Sequence, residues 1–198
     1  MHYKIIFILL FLLYFLTGYS QVTLFSENFE GKTEASITTS GEQGWDLYIT
    51  TSSGINIWSF SGDNPLNGTM SLAIEENTTD SENTYDNSIE TDKVAYYATL
   101  INASGYYNLR LSYKWRCEGD YFTSTYNDYG RVVYSSDGTN WNVLTSEHAL
   151  QSTVDSKSNL NISTLDNTQF YLGFQFISNG DFFGDNPSFA IDDILITG

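Results

Sequence analysis

The residues of this sequence best placed to do chemistry are carboxylates, some inside an apolar run and some beside aromatic rings. The last stretch, FAIDDILITG from Phe189 to Gly198, is the first case. Phe189, Ile191 and Leu195 alternate with Ala190, Ile194 and Ile196, so both faces of a period-2 strand read as apolar, the pattern of a strand covered on both sides. Asp192 and Asp193 interrupt it. Neighbouring residues of a strand point to opposite faces, so at least one of these carboxylates faces packed interior. An uncompensated buried charge costs several kcal/mol or more. With so few basic residues in the chain, the expected compensation is a bound cation or a set of hydrogen-bond donors.

The second case is a pair of loops, CEGDYFTSTYNDYG (117–130) and NGDFFGDNPS (179–188). One carries Tyr121, Phe122, Tyr126 and Tyr129; the other carries Phe182 and Phe183 between Asp181 and Asp185. Adjacent rings in a polar loop cannot all point inward. Ring faces beside carboxylates are what a sugar site uses, the ring stacking on C–H faces and the carboxylate accepting from hydroxyls. The alternative is that these rings close the open ends of a sandwich.

Signatures of catalysis are absent from the sequence. There is no G-x-S-x-G, no H-E-x-x-H, no E-x-D-x-x-E and no phosphate-cradling glycine loop. His148, in the polar stretch SEHALQS, reads as a solvated surface residue. The turn SSDGTNW (135–141) resembles the aspartate box of sugar-active proteins but lacks its glycine spacing, and reads as a hairpin whose Trp141 packs back on its sheet. The expectation is a protein that is not an enzyme, with a glycan hydrolase built on paired carboxylates as the least favoured reading.

The whole chain carries 8 Lys and Arg against 24 Asp and Glu, a formal net charge of −16 at pH 7. Residues 1–20 pair Lys4 with an apolar run from Ile5 to Leu16 and with Gly18 and Ser20 ahead of Gln21, which reads as a secretory signal peptide. The run is shorter than the ~20 residues of a membrane span. Without Lys4 the remainder, 21–198, stands at −17, a balance that repels nucleic acid and anionic membranes. Cys117 is the only cysteine, so no intrachain disulfide forms, and its place at the end of an apolar face reads as a buried small hydrophobe.

Strand punctuation runs through the whole of 21–198, with no helical period. Strands are expected at 22–29, 45–49, 55–60, 70–76, 93–101, 107–117, 129–136, 141–147, 160–163, 170–178 and 189–198, with Asp137-Gly138 as a hairpin turn. The stretch 76–92 is polar and acidic and reads as a long exposed loop. About ten or eleven strands without a repeat period indicate an all-β, two-sheet antiparallel sandwich, a jelly roll whose first and last strands lie close together.

LFSENFEG with Gly44-Trp45, then NLRLSYKW, YGRVVYSSDGTNWNVL, FYLGFQF and FAIDDILITG, in that order, resemble the layout of the MAM-like jelly rolls of bacterial secreted proteins, the cleaved-adhesin and choice-of-anchor J type domains. The resemblance covers nearly all of 23–198. It implies a calcium-stabilised sandwich that serves binding or support. The chain lacks the disulfide cysteines of animal MAM domains, which favours the bacterial branch, and it shows no partner catalytic domain or sorting segment.

Carried over residue by residue, the family's metal site falls on Glu30 and Asp192, with Asp193 and Glu27 beside them, and Asp63 of the SGDNPLNG turn could add a ligand. Calcium takes roughly six to eight oxygens at about 2.3–2.6 Å, and a set without His or Cys disfavours zinc and copper. The alternative is that the acids are solvated, or bonded to backbone N–H groups and tyrosine hydroxyls. Together these readings describe a single domain at 21–198, secreted, periplasmic or on the cell surface. It would be an adhesin-like or carbohydrate-binding module with structural calcium and a glycan or cell-surface protein as partner. A structural or protein-interaction accessory domain is the alternative.

Overall fold

The computed structural model describes residues 21–52, 54–76 and 83–198, so the stretch 1–20, expected to be a signal peptide, lies outside the described residues. Among the described residues there are fourteen strands: β1 (Thr23–Glu27), β2 (Ala35–Ser36), β3 (Trp45–Ser52), β4 (Ile57–Ser61), β5 (Ser71–Glu75), β6 (Glu90–Tyr97) and β7 (Ile101–Asn102), then β8 (Arg110–Cys117), β9 (Asp120–Phe122), β10 (Thr125–Ser135), β11 (Asn142–Val143), β12 (Gln151–Asn161), β13 (Gln169–Asn179) and β14 (Ala190–Thr197). A single 3-10 turn, Ser163–Leu165, precedes β13.

All strand pairs are antiparallel and form two sheets. The first runs β12-β8-β14-β5-β4-β2, with β1 lying along the second half of β14; the second runs β11-β10-β13-β6-β3, with β7 on β13 and β9 on β10. Trp58, Phe60, Tyr113 and Ile191 of the first sheet meet Trp45, Phe170, Phe174 and Phe176 of the second in one continuous core. This is the expected jelly-roll sandwich, with first and last strands side by side. The core is aromatic at close range: Trp45 lies 5.6 Å from Phe29 and 6.1 Å from Phe174 between ring centroids.

The final strand departs from the reading of a strand covered on both faces along its length. Asp192 stands opposite Lys114 and Leu195 opposite Ser112, so β14 carries one residue more than β8 across this step, and Asp193 sits there at φ 48°. Such a bulge reverses the alternation of faces. Phe189 and Ile191 before it and Ile194 and Ile196 after it therefore all enter the core, while Leu195 is exposed. Ala190 on the other face packs with Ala73 under Leu66 of the β4–β5 connection.

Other boundaries also moved. The polar stretch 151–161 forms β12, an edge strand exposed at most positions, whose pairing with β8 requires no apolar alternation. The expected strand 93–101 is two strands, split at 98–100. The hairpin after Asp137-Gly138 pairs only at Asn142–Val143. Of the expected exposed loop at 76–92, residues 77–82 lie outside the described residues. The rest turns inward, with Asn83 and Tyr85 buried and β6 already begun at Glu90.

Candidate functional site

The two aromatic loops come together at one end of the sandwich. The first is a hairpin: Phe122 pairs with Thr125, leaving Thr123 and Ser124 as a two-residue turn at φ 50° and 67°. That backbone normally takes Asn-Gly, since positive φ is costly for residues with a Cβ and most so for β-branched ones. Phe182, at the tip of the β13–β14 loop, also has positive φ, 71°. Ring-bearing turns are thus held in sparsely populated conformations at this end, where surrounding contacts must fix them.

Those contacts are mostly backbone. Gly119 and Asp185 exchange N–H to O bonds of 3.1 and 3.0 Å, Glu118 N donates to Pro187 O at 2.9 Å, and Phe182 N donates to Asn87 O at 3.1 Å. Asn87 Nδ2 reaches Gly184 O at 3.0 Å, and Tyr85 N reaches Asn186 Oδ1 at 3.1 Å. Gly184, at φ 122°, has the Tyr85 hydroxyl 2.2 Å from where a Cβ would stand, so no larger residue fits without displacing it. Beneath the loops Asp128 is fully buried and accepts from the Tyr85 hydroxyl at 2.7 Å and from Asn179 N at 3.1 Å. Burial raises the pKa of both Asp128 and Tyr85.

On this support the rings face outward. Tyr121 is 45%, Phe122 63%, Phe182 75% and Phe183 66% exposed. Phe122 and Phe183, one from each loop, lie nearly parallel, 8° between planes and 6.2 Å between centroids. Tyr121 packs on Tyr126 at 4.7 Å, and Tyr126 meets Tyr129 edge-on at 6.4 Å. Tyr121, Phe122, Phe182 and Phe183 are therefore presented to solvent rather than closed over the core. Asp181 accepts from Phe183 N at 2.9 Å and from Asn179 Nδ2 at 2.8 Å, and Asp120 accepts from Asn127 Nδ2 at 3.0 Å. Asp185 is exposed and anchored through its backbone bridge to Gly119. The eight residues expected for ligand contact thus lie on two adjoining loops, but their rings form two contact groups, Tyr121–Tyr126–Tyr129 and Phe122–Phe183, since the adjacent Tyr121 and Phe122 point to opposite faces of β9. Tyr129 is the most buried ring, and buried Asp128 is a member the sequence did not single out.

The carboxylates of the expected metal site lie elsewhere. Asp192 Oδ2 accepts from Asn67 N and the Ser71 hydroxyl, both at 3.0 Å, and Oδ1 accepts from Asp193 N at 2.7 Å. Burial pushes its pKa up to about 6 against those bonds. Glu30 accepts from Thr69 N and the Thr69 hydroxyl, both at 2.8 Å, which lowers its pKa. Asp193 pairs with Lys114 Nζ at 2.8 Å and accepts from Asn67 Nδ2 at 3.0 Å. Glu27 accepts from Phe29 N and pairs with Lys32 at 3.2 Å.

Glu30, Asp192 and Asp193 thus all meet the 67–71 segment, and donors compensate the buried charge. Asp63 lines a cavity of about 290 Å³ with Glu34 and Glu75. Among the described residues no three His, Cys, Asp or Glu side chains are arranged to hold a metal ion.

His148 is not the surface residue its polar context suggests; it is 2% exposed. Its Nδ1 bonds Ser146 O at 2.8 Å and its Nε2 meets the Tyr113 hydroxyl at 2.5 Å, with the ring 4.5 Å from Trp115. Trp141 does pack back on its sheet, lying over Gly173, where a Cβ would be 2.8 Å from its ring, between Tyr48 and Tyr96.

No family model matches the chain, and no curated protein matches it. Solved structures similar to it at low identity include the following two. The CBM22-1 xylan-binding domain from Paenibacillus barcinonensis Xyn10C is 10% identical, with 91% of this chain and 96% of that one covered at a TM-score of 0.46. TmCBM61, solved in complex with beta-1,4-galactotriose, is also 10% identical, with 78% and 88% covered at a TM-score of 0.42.

Proposed function

We propose that this chain is an exported, non-catalytic glycan-binding module that takes sugar on the aromatic end of the sandwich. The observation that carries the reading is the exposed, near-parallel Phe122–Phe183 pair, contributed by two loops that the backbone locks together and rimmed by Asp181 and Asp185. Rings supply stacking surface for C–H faces and the carboxylates accept from sugar hydroxyls. An adhesin of the MAM-like type would use the same surface. The large exposure of Phe182 and Phe183 also favours a second reading, an apolar patch that docks a protein partner.

A glycan array probed with residues 21–198 separates the two. Binding to one sugar class, weakened about 3- to 10-fold by Phe183→Ala or Tyr121→Ala as expected for loss of one stacking ring, supports the first reading. A folded protein that binds no glycan on the array leaves the protein-docking reading in its place.

We also propose that calcium strengthens this fold. Glu30 and Asp192, which meet the 67–71 segment and offer only oxygen, are the residues that would hold it. Added to the donors these carboxylates already have, the ion would tie β14 more firmly to that segment. Thermal melts in calcium and in chelator test this: the melting temperature falls in chelator, and Asp192→Asn removes the difference. Identical melts for the unsubstituted protein would refute it.

A further inference from the structure

We infer that the glycan taken by the aromatic end is uncharged, and that uronate- and sulfate-bearing chains are excluded by the carboxylates around the rings. The inference rests on the glycan-binding reading above and specifies its ligand class.

Asp120, Asp181 and Asp185 lie on the two loops that carry the rings, Glu118 belongs to the first of them, and Asp128 is buried beneath, bonded to Tyr85 and Asn179. Of the basic groups among the described residues only Arg131 reaches the aromatic residues of these loops, and it does so at Tyr129, outside the Phe122–Phe183 pair. Lys93 and Arg116 are buried, Lys114 and Lys32 are paired with Asp193 and Glu27, and Lys157 sits 5.3 Å over the Trp115 ring. Arg110 starts β8, whose opposite end leads into this site. Arg131 is closest in sequence, but its guanidinium lies 5.7 Å over the Tyr129 ring and its Nε donates to Gln175 at 2.7 Å.

An anionic glycan stacked on Phe122 and Phe183 would therefore meet carboxylates without a cation to answer them. A neutral glycan presents hydroxyl donors, which those carboxylates accept.

Affinity electrophoresis through paired polysaccharides tests the inference, because each pair shares a backbone and differs in charge. The pairs are hydroxyethylcellulose with carboxymethylcellulose, and methyl-esterified pectin with polygalacturonate; neutral galactomannan is added. For any backbone that retards the protein, the anionic member should bind at least tenfold more weakly at about 20 mM salt. The gap should narrow at about 0.5 M salt, where the screening length falls well below 10 Å. The Asp181→Asn/Asp185→Asn variant should narrow it at low salt. Asp185→Asn alone serves where loss of the Asp181 bonds to Phe183 and Asn179 unsettles the loop in a circular dichroism melt.

Equal or tighter binding of the anionic member at low salt overturns the inference and leaves the glycan reading standing. Retention by none of these polymers, together with a blank glycan array, removes that reading and the inference with it.

Discussion

His148 shows what a single side chain contributes that composition hides. Its Nδ1–H donates to Ser146 O and its Nε2 bonds the Tyr113 hydroxyl, so both nitrogens are satisfied, and it is burial away from water that favours the neutral ring. Burial lowers its pKa to about 4 from the usual 6.5. A base with a depressed folded pKa adds stability that is complete above about pH 6.5 and is lost as pH falls toward 4. Asp192, raised to about 6, acts oppositely, costing stability as pH rises from about 4 to 6. The overall pH profile mixes both. The advantage of the unsubstituted protein over His148→Gln isolates the histidine, and it should shrink by roughly 2–3 kcal/mol between pH 7 and pH 4 in urea titrations. A constant difference across that range would show that the ring is not held neutral. The sequence showed a polar stretch around His148 but not its partner, because Tyr113 lies on β8, 35 residues away. The demand for compensation at Asp192, by contrast, was legible from FAIDDILITG itself, since two adjacent acids in an apolar strand cannot both be solvated.

The elements were read best where alternation is strong and least well where turn chemistry is unusual. β8, β10 and β13 follow period-2 patterns over a buried face. β9 and the start of β10 fall in a stretch that reads as loop, because Thr123-Ser124 gives no hairpin signal. Their φ values of 50° and 67° indicate a turn built on unfavourable residues. Thr123→Asn/Ser124→Gly should therefore raise stability by about 1 kcal/mol, or about 2–4 °C in melting temperature, while keeping the hairpin; a drop would mean that the side chains secure the turn. β10 also depends on a glycine. A Cβ at Gly130 would stand 2.2 Å from the fully buried Phe189 ring. Gly130→Ala should cost about 3 kcal/mol or more by overpacking, measured as the shift of the urea midpoint; a neutral effect would show that Phe189 can move aside. The bulge at Asp193 was illegible because an inserted residue leaves an apolar strand looking apolar on both faces, while β12 was missed because an edge strand needs no apolar face.

At the scale of the molecule the two aromatic loops are distant in sequence yet adjoin, since β10 and β13 are hydrogen-bonded neighbours that deliver them to the same end. Sequence alone placed rings and acids in each loop. Only the pairing of Phe122 with Phe183 turns two candidate sites into one. The most direct test of that joint site is calorimetric titration of residues 21–198, unsubstituted and as Phe122→Ala/Phe183→Ala, with whichever oligosaccharide binds most strongly on the array. The account predicts that the double variant melts like the parent, because both rings are solvent-exposed, and binds at least tenfold more weakly. Undiminished binding by a folded double variant would place the sugar elsewhere on the sandwich and contradict the account.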